Sequence, residues 1–262
     1  MGFCKKLLFN CFPIKIGGMI DIPILYEDSD LLVLNKPAGI SVHKDGYNNE
    51  EETIADWVAK KYPELKEVGE PMMAQNGTLI LKPGIVHRLD KDTSGVLLIA
   101  KNQQTYYSLK KQFKERTIDK VYRLITYGNF SPDKEQGTIN LPIGRSRKDS
   151  RRRLAGPGAS SVIREALTHY KVSESFPGYS YIEAHPKTGR THQLRVHFKA
   201  IGHALVCDSL YAHGEVCLPG LERQALHAFS LTFVRPNGDP LKVEAPLPAD
   251  LEAALESLKT LC

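Results

Sequence analysis

The segment GIVHRLDKDTSGVLLIAK, residues 84–101, constrains the fold more than any other part of the chain. Its second half, Val96 to Ala100, is a short unbroken apolar run, the pattern of a strand buried in the interior of a sheet. Its first half crowds His87, Arg88, Asp90, Lys91 and Asp92 into a polar turn. Gly84 and Gly95 flank that turn and permit tight backbone on either side. A rigid strand behind a charged turn is an effective way to fix a reactive side chain, and Asp90 is the candidate it presents. An ordinary acidic turn would read the same way, so on these letters alone both readings stand.

The surrounding pattern supplies the rest of a sheet. IPILYEDSDLLVLNKPAG reads as a strand, an acidic turn and a second strand, Leu31 to Leu34, before a Pro-Gly stop. Ile54, Trp57 and Val58 share one stripe of a helix that Pro63 ends, and residues 103–116 form a second amphipathic helix. KVYRLITYG (120–128) and YSYIEAHP (179–186) read as strands. Residues 191–201 read as a helix that Thr191 can cap and Gly202 can terminate. Phe229, Leu231 and Phe233 alternate on a late strand, and Pro248 precedes a final helix with Leu251, Ala254, Leu255 and Leu258. Strands with interspersed helices but no regular βαβ alternation predict an α+β fold with a mixed, largely antiparallel sheet. Residues 1–19 are expected to be a disordered leader ahead of one domain over 20–262.

Charge is concentrated. The chain of 262 residues carries a formal +5, and Arg145 to Arg153 alone, with six basic residues and one acidic, accounts for all of it. Such a patch fits either a polyanion contact or a mobile solvated loop within the Gly-, Ser- and Arg-rich stretch 144–160. Five cysteines without a CxxC pair point to reduced thiols and a cytoplasmic protein. No transmembrane run appears. There is neither a Walker loop nor a GxGxxG fingerprint, and the histidines lack a zinc-type spacing. The chain is therefore expected to need no cofactor and no metal.

Two further segments carry chemistry. AHPKTGRTHQLRVHFKAIGH (184–203) places Arg190, Leu194 and His197 at i, i+4 and i+7, which offers a guanidinium beside an apolar side chain if the helix begins there. KVYRL (120–124) sets Tyr122 on one face of a strand, where it either stacks on a ring or joins the core. HRLDKDTSG, KVYRL and TGRTHQLRVH, in that order, closely resemble the motifs of RluA-type RNA pseudouridine synthases. LYEDSDLLVLNKPAGISVH, INLPIGRS and QALHAFSLTFVRP agree, so the resemblance runs from about Leu25 to Pro246.

The resemblance implies roles residue by residue. Asp90 matches the essential carboxylate, and Arg88 the arginine that enters the RNA stack when the target base flips out. Tyr122 matches the tyrosine against the flipped uracil and is a candidate proton acceptor. Arg190 matches the arginine that pairs with the catalytic aspartate, and Leu194 an apolar residue of the pocket. His87 and Thr93 of the same turn are expected on the substrate side. Arg145, Arg147, Lys148, Arg151, Arg152 and Arg153 are expected to grip phosphates. The implied reaction isomerises a uridine in rRNA or tRNA to pseudouridine, catalysed by a monomer. Many relatives carry an N-terminal RNA-binding domain, and the residues before the catalytic region here are too few for one. The rival readings are a metal enzyme built on His185, His192, His197 and His203, and a non-catalytic RNA-binding protein with the same fold.

Overall fold

The computed structural model describes residues 15–16, 19–44, 51–73, 77, 79–149, 151–156, 158–159 and 162–261. Most of the expected leader, with Cys4 and Cys11, lies outside them, as does Cys262. Lys15–Ile16 and Met19–Ile20 form a short antiparallel pair.

Nine strands make one sheet: β1 (Ile24–Glu27), β2 (Leu31–Lys36), β3 (Ser94–Ala100), β4 (Asp119–Tyr127), β5 (Gln136–Asn140), β6 (Leu167–Phe176), β7 (Tyr179–Pro186), β8 (Leu226–Val234) and β9 (Pro240–Glu244). Their spatial order is β1-β2-β3-β8-β4-β7-β6-β5, with β9 beside β8. β3 and β8 run parallel, and the other neighbours are antiparallel. The mixed, largely antiparallel α+β architecture agrees with the sequence reading.

All seven residues of β3 are buried because helices cover both faces of this half of the sheet. Leu32, Leu34, Leu97 and Ile99 pack with Trp57 and Val58 of α1 (Ile54–Lys61). The alternate residues Leu31, Val33, Val96 and Leu98 pack with Tyr106 and Leu109 of α2 (Gln103–Glu115). A period-2 strand with two apolar faces reads as a continuous apolar run. α1 starts at a Thr53–Asp56 capping box, and α2 at Asn102, whose side chain accepts from the Thr105 amide at 2.9 Å. In the other half, α3 (Gln193–Ala200) covers Leu124 and Ile182, and α4 (Ala249–Lys259) covers Ile125.

Three expectations change. Thr191 does not cap α3: the cap is His192, in the left-handed region at φ 56°, and it makes no side-chain cap bond. The basic stretch is folded as a hairpin, Ile143–Arg145 against Arg153–Ala155, with Arg145 opposite Arg153. Cys207 and Cys217 are joined in a disulfide with Cα atoms 5.0 Å apart, in place of the free thiols inferred from cysteine spacing. The loop between them folds back on itself, which a separation of ten residues does not reveal. Among the described residues no helix is long and apolar enough to cross a membrane, and no group of three or more His, Cys, Asp or Glu side chains is placed to hold a metal ion.

Candidate active site

The turn 87–93 arrives at the mouth of β3 under tight backbone constraint. Gly95 has φ 116°, and a Cβ there would lie 2.1 Å from the Ala228 carbonyl oxygen across the parallel β3–β8 pair. Gly84 has φ 63°, and a Cβ would meet the Ala100 carbonyl oxygen at 2.0 Å. Neither position admits a side chain without moving backbone.

Buried cations hold the turn from behind. Lys36, with no exposed surface, donates to the carbonyls of Pro37 and Ile40 at 2.8 Å each and of Lys91 at 2.9 Å. Burial pulls its ammonium down to about 7, against the attraction of Asp92. Arg223 donates to the next carbonyl, that of Asp92, at 3.0 Å, while Asp250 of α4 accepts two bonds from the same guanidinium at 2.6 and 3.0 Å. Asp90 closes the turn, its own carbonyl accepting from the Thr93 amide at 3.1 Å.

Asp90 faces a cavity of about 530 Å³ whose lining includes Arg88, Tyr122, Leu194 and Arg195. Its carboxylate, 19% exposed, pairs with Arg195, whose Nη1 lies 3.5 Å from Oδ2. Arg195 is itself held rigidly. Its Nε and Nη2 donate to the two oxygens of the fully buried Asp208 at 2.6 and 2.7 Å, and its plane lies 5.0 Å from the centre of the Tyr211 ring. A bidentate bond on one edge and a ring beneath leave the remaining edge aimed at Asp90.

The arginine beside Asp90 is therefore Arg195, where the motif resemblance had pointed to Arg190. The reason is the start of α3. The Gln193 side chain accepts from the Arg190 amide at 3.0 Å and from the Thr188 hydroxyl at 2.6 Å, so 188–192 is a turn and the helix begins at Gln193. Arg190 lies outside it, with Nε donating to the Glu165 carbonyl at 3.0 Å, while Arg195 sits beside Leu194 in the first helical turn.

Tyr122 reaches the cavity from β4. Burial, then the charge of Asp90, raises its phenol well above the usual range, so the ring stays protonated. That opposes a proton-acceptor role in the resting site and suits a ring that packs. Leu194 is buried on the cavity wall, and Arg88 is exposed at the rim. His87 and Thr93 also line the cavity, and both are tied into the fold behind it. His87 stacks on Phe113, its Nε2 accepts from the Leu98 amide at 2.9 Å, and burial lowers it to about 3. Thr93 is 2% exposed. Both support the wall from within.

The basic hairpin is divided. Arg151 is bound by both oxygens of Asp149, and Arg152 contacts His213. Arg145, Arg147 and Lys148 are exposed. The Arg153 amide donates to the Tyr211 hydroxyl at 2.8 Å, which ties the hairpin to the ring beneath Arg195. Asp208, Tyr211, Lys36 and Arg223 were not singled out from sequence. Arg195 was hidden inside a motif whose helix start was misplaced.

Comparison with known proteins identifies the family. The family model described as RNA pseudouridylate synthase matches residues 30–200. An uncharacterised RNA pseudouridine synthase of Synechocystis is 39% identical over 245 residues, covering 93% of this chain and 71% of that one. The ribosomal large subunit pseudouridine synthase D of Nitrosomonas europaea is 36% identical over 252 residues, covering 92% and 67%. The solved structure of human RNA pseudouridylate synthase domain containing 1 superposes with a TM-score of 0.66 at 28% identity, covering 89% of this chain and 87% of its own. With the family model spanning more than half of its length, this chain belongs to the RNA pseudouridylate synthase family and is an RNA-modifying isomerase.

Proposed function

We propose that this site converts uridines in structured RNA, of the large ribosomal subunit, of tRNA or of both, to pseudouridine with Asp90 as the reacting carboxylate. The observation that carries the reading is the Asp90–Arg195 pair on the wall of a cavity large enough for an extruded nucleotide. The reaction breaks the C1′–N1 bond, rotates the uracil and rejoins it through C5, which releases its proton while N1 takes one up. No atom is gained, so no redox partner or energy source enters the balance.

A carboxylate near a bound base tends to lose its charge by desolvation, and a cation 3.5 Å away opposes that tendency. Arg195 orients the Asp90 carboxylate while Asp208 keeps Arg195 in place. The base must leave its stack before it reacts, at a cost of a few kcal/mol that is smallest in loops. In this reading Arg88, exposed at the rim, enters the vacated stack, and the protonated Tyr122 packs on the extruded ring.

The test is tritium release from RNA labelled at uracil C5, using large-subunit rRNA and tRNA transcripts. Wild type releases tritium, and Asp90→Ala reduces release to background while still retaining the RNA in filter binding. Release that survives Asp90→Ala would show that another group does the chemistry.

A further inference from the structure

The structure gathers cations at the cavity that the basic hairpin does not supply. Lys114 and Arg116 stand at the C-terminal end of α2, Lys120 at the start of β4, and Lys187 and Arg190 in the turn before α3, all on the cavity lining. Arg164 stands close enough to Arg190 to lower its affinity for a proton, as does Arg116. Two carboxylates accompany these six cations. Glu165 is 88% exposed and 4.0 Å from Arg116, and Asp119 is about half exposed and 3.4 Å from Lys187. The group adjoins the hairpin at one point, where Arg164 exchanges two backbone hydrogen bonds with Ile143 at 2.8 and 2.9 Å, and its other members come from α2, β4 and the turn before α3.

Clustered like charges destabilise a free protein, and an exposed surface has no structural need of them. Lys120 shows the tension most clearly. Half-buried, with its ammonium donating to the Thr188 carbonyl at 3.3 Å, it is brought down to about 8 by burial and by Lys187 and Arg116, with Asp119 in partial opposition. A structural lysine in such a place would have a carboxylate in contact. What relieves the repulsion is an anion with regularly spaced charges, lying along the rim.

We infer that Lys114, Arg116, Lys120, Arg164, Lys187 and Arg190 form a second phosphate track, which binds the RNA strand beside the extruded nucleotide. The inference rests on the RNA-isomerase reading above and adds where the strand runs. It also gives Arg190 a purpose that the pairing of Asp90 with Arg195 leaves unassigned. The cations of the hairpin and those of the track then contact separate stretches of the same RNA.

The experiment compares wild type with the double variant Lys114→Gln/Arg116→Asn, both positions exposed and asparagine tolerating the left-handed backbone at 116 (φ 62°). Affinity for a short single-stranded uridine-containing RNA is measured across a salt series, alongside tritium release from the labelled transcripts. Loss of two phosphate contacts lowers the slope of log affinity against log salt by about 1.4. KM should rise about tenfold at moderate salt while kcat stays within about twofold, since the ion pair that holds Asp90 is made by Arg195 and that of Arg116 is with Glu165. A slope and affinity equal to wild type overturn the track, whether or not the enzyme turns over. A reduced slope without tritium release from wild-type enzyme keeps the track and overturns the Asp90 reading instead.

Discussion

The two walls of the cavity handle charge in opposite ways. Behind Asp90 the buried charges are answered: Arg195 lies between Asp90 and Asp208, Arg223 is gripped by Asp250, and Lys36 is surrounded by three carbonyls. At the rim, six cations face two carboxylates, Glu165 largely solvated and Asp119 about half exposed. The first arrangement is rigid and insensitive to salt because its members are buried; the second is exposed and screened. The contrast separates chemistry from affinity. Buried, mutually oriented charges fix where a reacting atom sits, while a repelling surface awaits a polyanion. Changes in the first wall should alter kcat and fold stability, and changes in the second should alter KM and its salt dependence.

The largest expected effect tests the buried wall. Arg195→Met removes the cation beside Asp90 and leaves the buried Asp208 carboxylate with no counter-charge, only the Leu210 and Tyr211 amides at 3.0 and 3.1 Å, a cost of about 3–5 kcal/mol in stability. Turnover should fall by about 100-fold or more, the scale of removing one preorganised charge contact. Since instability alone could lower activity, the double variant Arg195→Met/Asp208→Asn is the sharper probe. Removing both charges while an amide oxygen still accepts from the Leu210 and Tyr211 amides should recover most of the melting temperature without recovering tritium release. Activity restored together with stability would mean that Arg195 only props up the fold, and the distinction between the walls would fail.

A smaller effect separates the two arginines of one motif. Arg190→Met should raise KM about threefold, the worth of one partly screened phosphate contact, with kcat unchanged. An Arg190→Met enzyme that binds RNA normally but does not turn over would return Arg190 to the role that the motif resemblance gave it.

Much of this was legible in the letters because β3 and its turn are locally determined. An apolar run with two covered faces, a glycine wherever backbone closes on backbone, and capping residues ahead of α1 and α2 all follow from short-range chemistry. Asp90, Tyr122 and Leu194 reach the cavity for the same reason. Arg195 was missed by one turn of helix. The start of α3 is set by Gln193 bonding back to Thr188 and Arg190, and by His192 in a left-handed conformation that residue type does not announce. The rim escaped notice for a different cause. Its cations come from α2, β4, residue 164 and the turn before α3, so no window of sequence is rich in them, while the compact run 145–153 drew attention although Asp149 and His213 already occupy two of its arginines. The disulfide and the Arg223–Asp250 pair likewise depend on segments that meet only after folding.

The smallest effect is a pH dependence at Lys120. Its ammonium, lowered to about 8, is charged below that value and neutral above it. A phosphate on the track binds the charged form, so RNA affinity should fall as pH rises from 7 to 9, by about threefold for a single contact. The charged groups that bear on it are Lys187, Arg116 and Asp119. Lys120→Arg keeps its charge and should flatten the profile while binding as tightly as wild type at pH 7. Anisotropy of a labelled single-stranded RNA at fixed salt reads both. The buried wall also has a group near neutrality, Lys36 at about 7, but it faces three backbone carbonyls and no solvent, so its titration should appear in kcat and leave affinity alone. A wild-type affinity profile that Lys120→Arg does not flatten would place the titrating group elsewhere and remove Lys120 from the track.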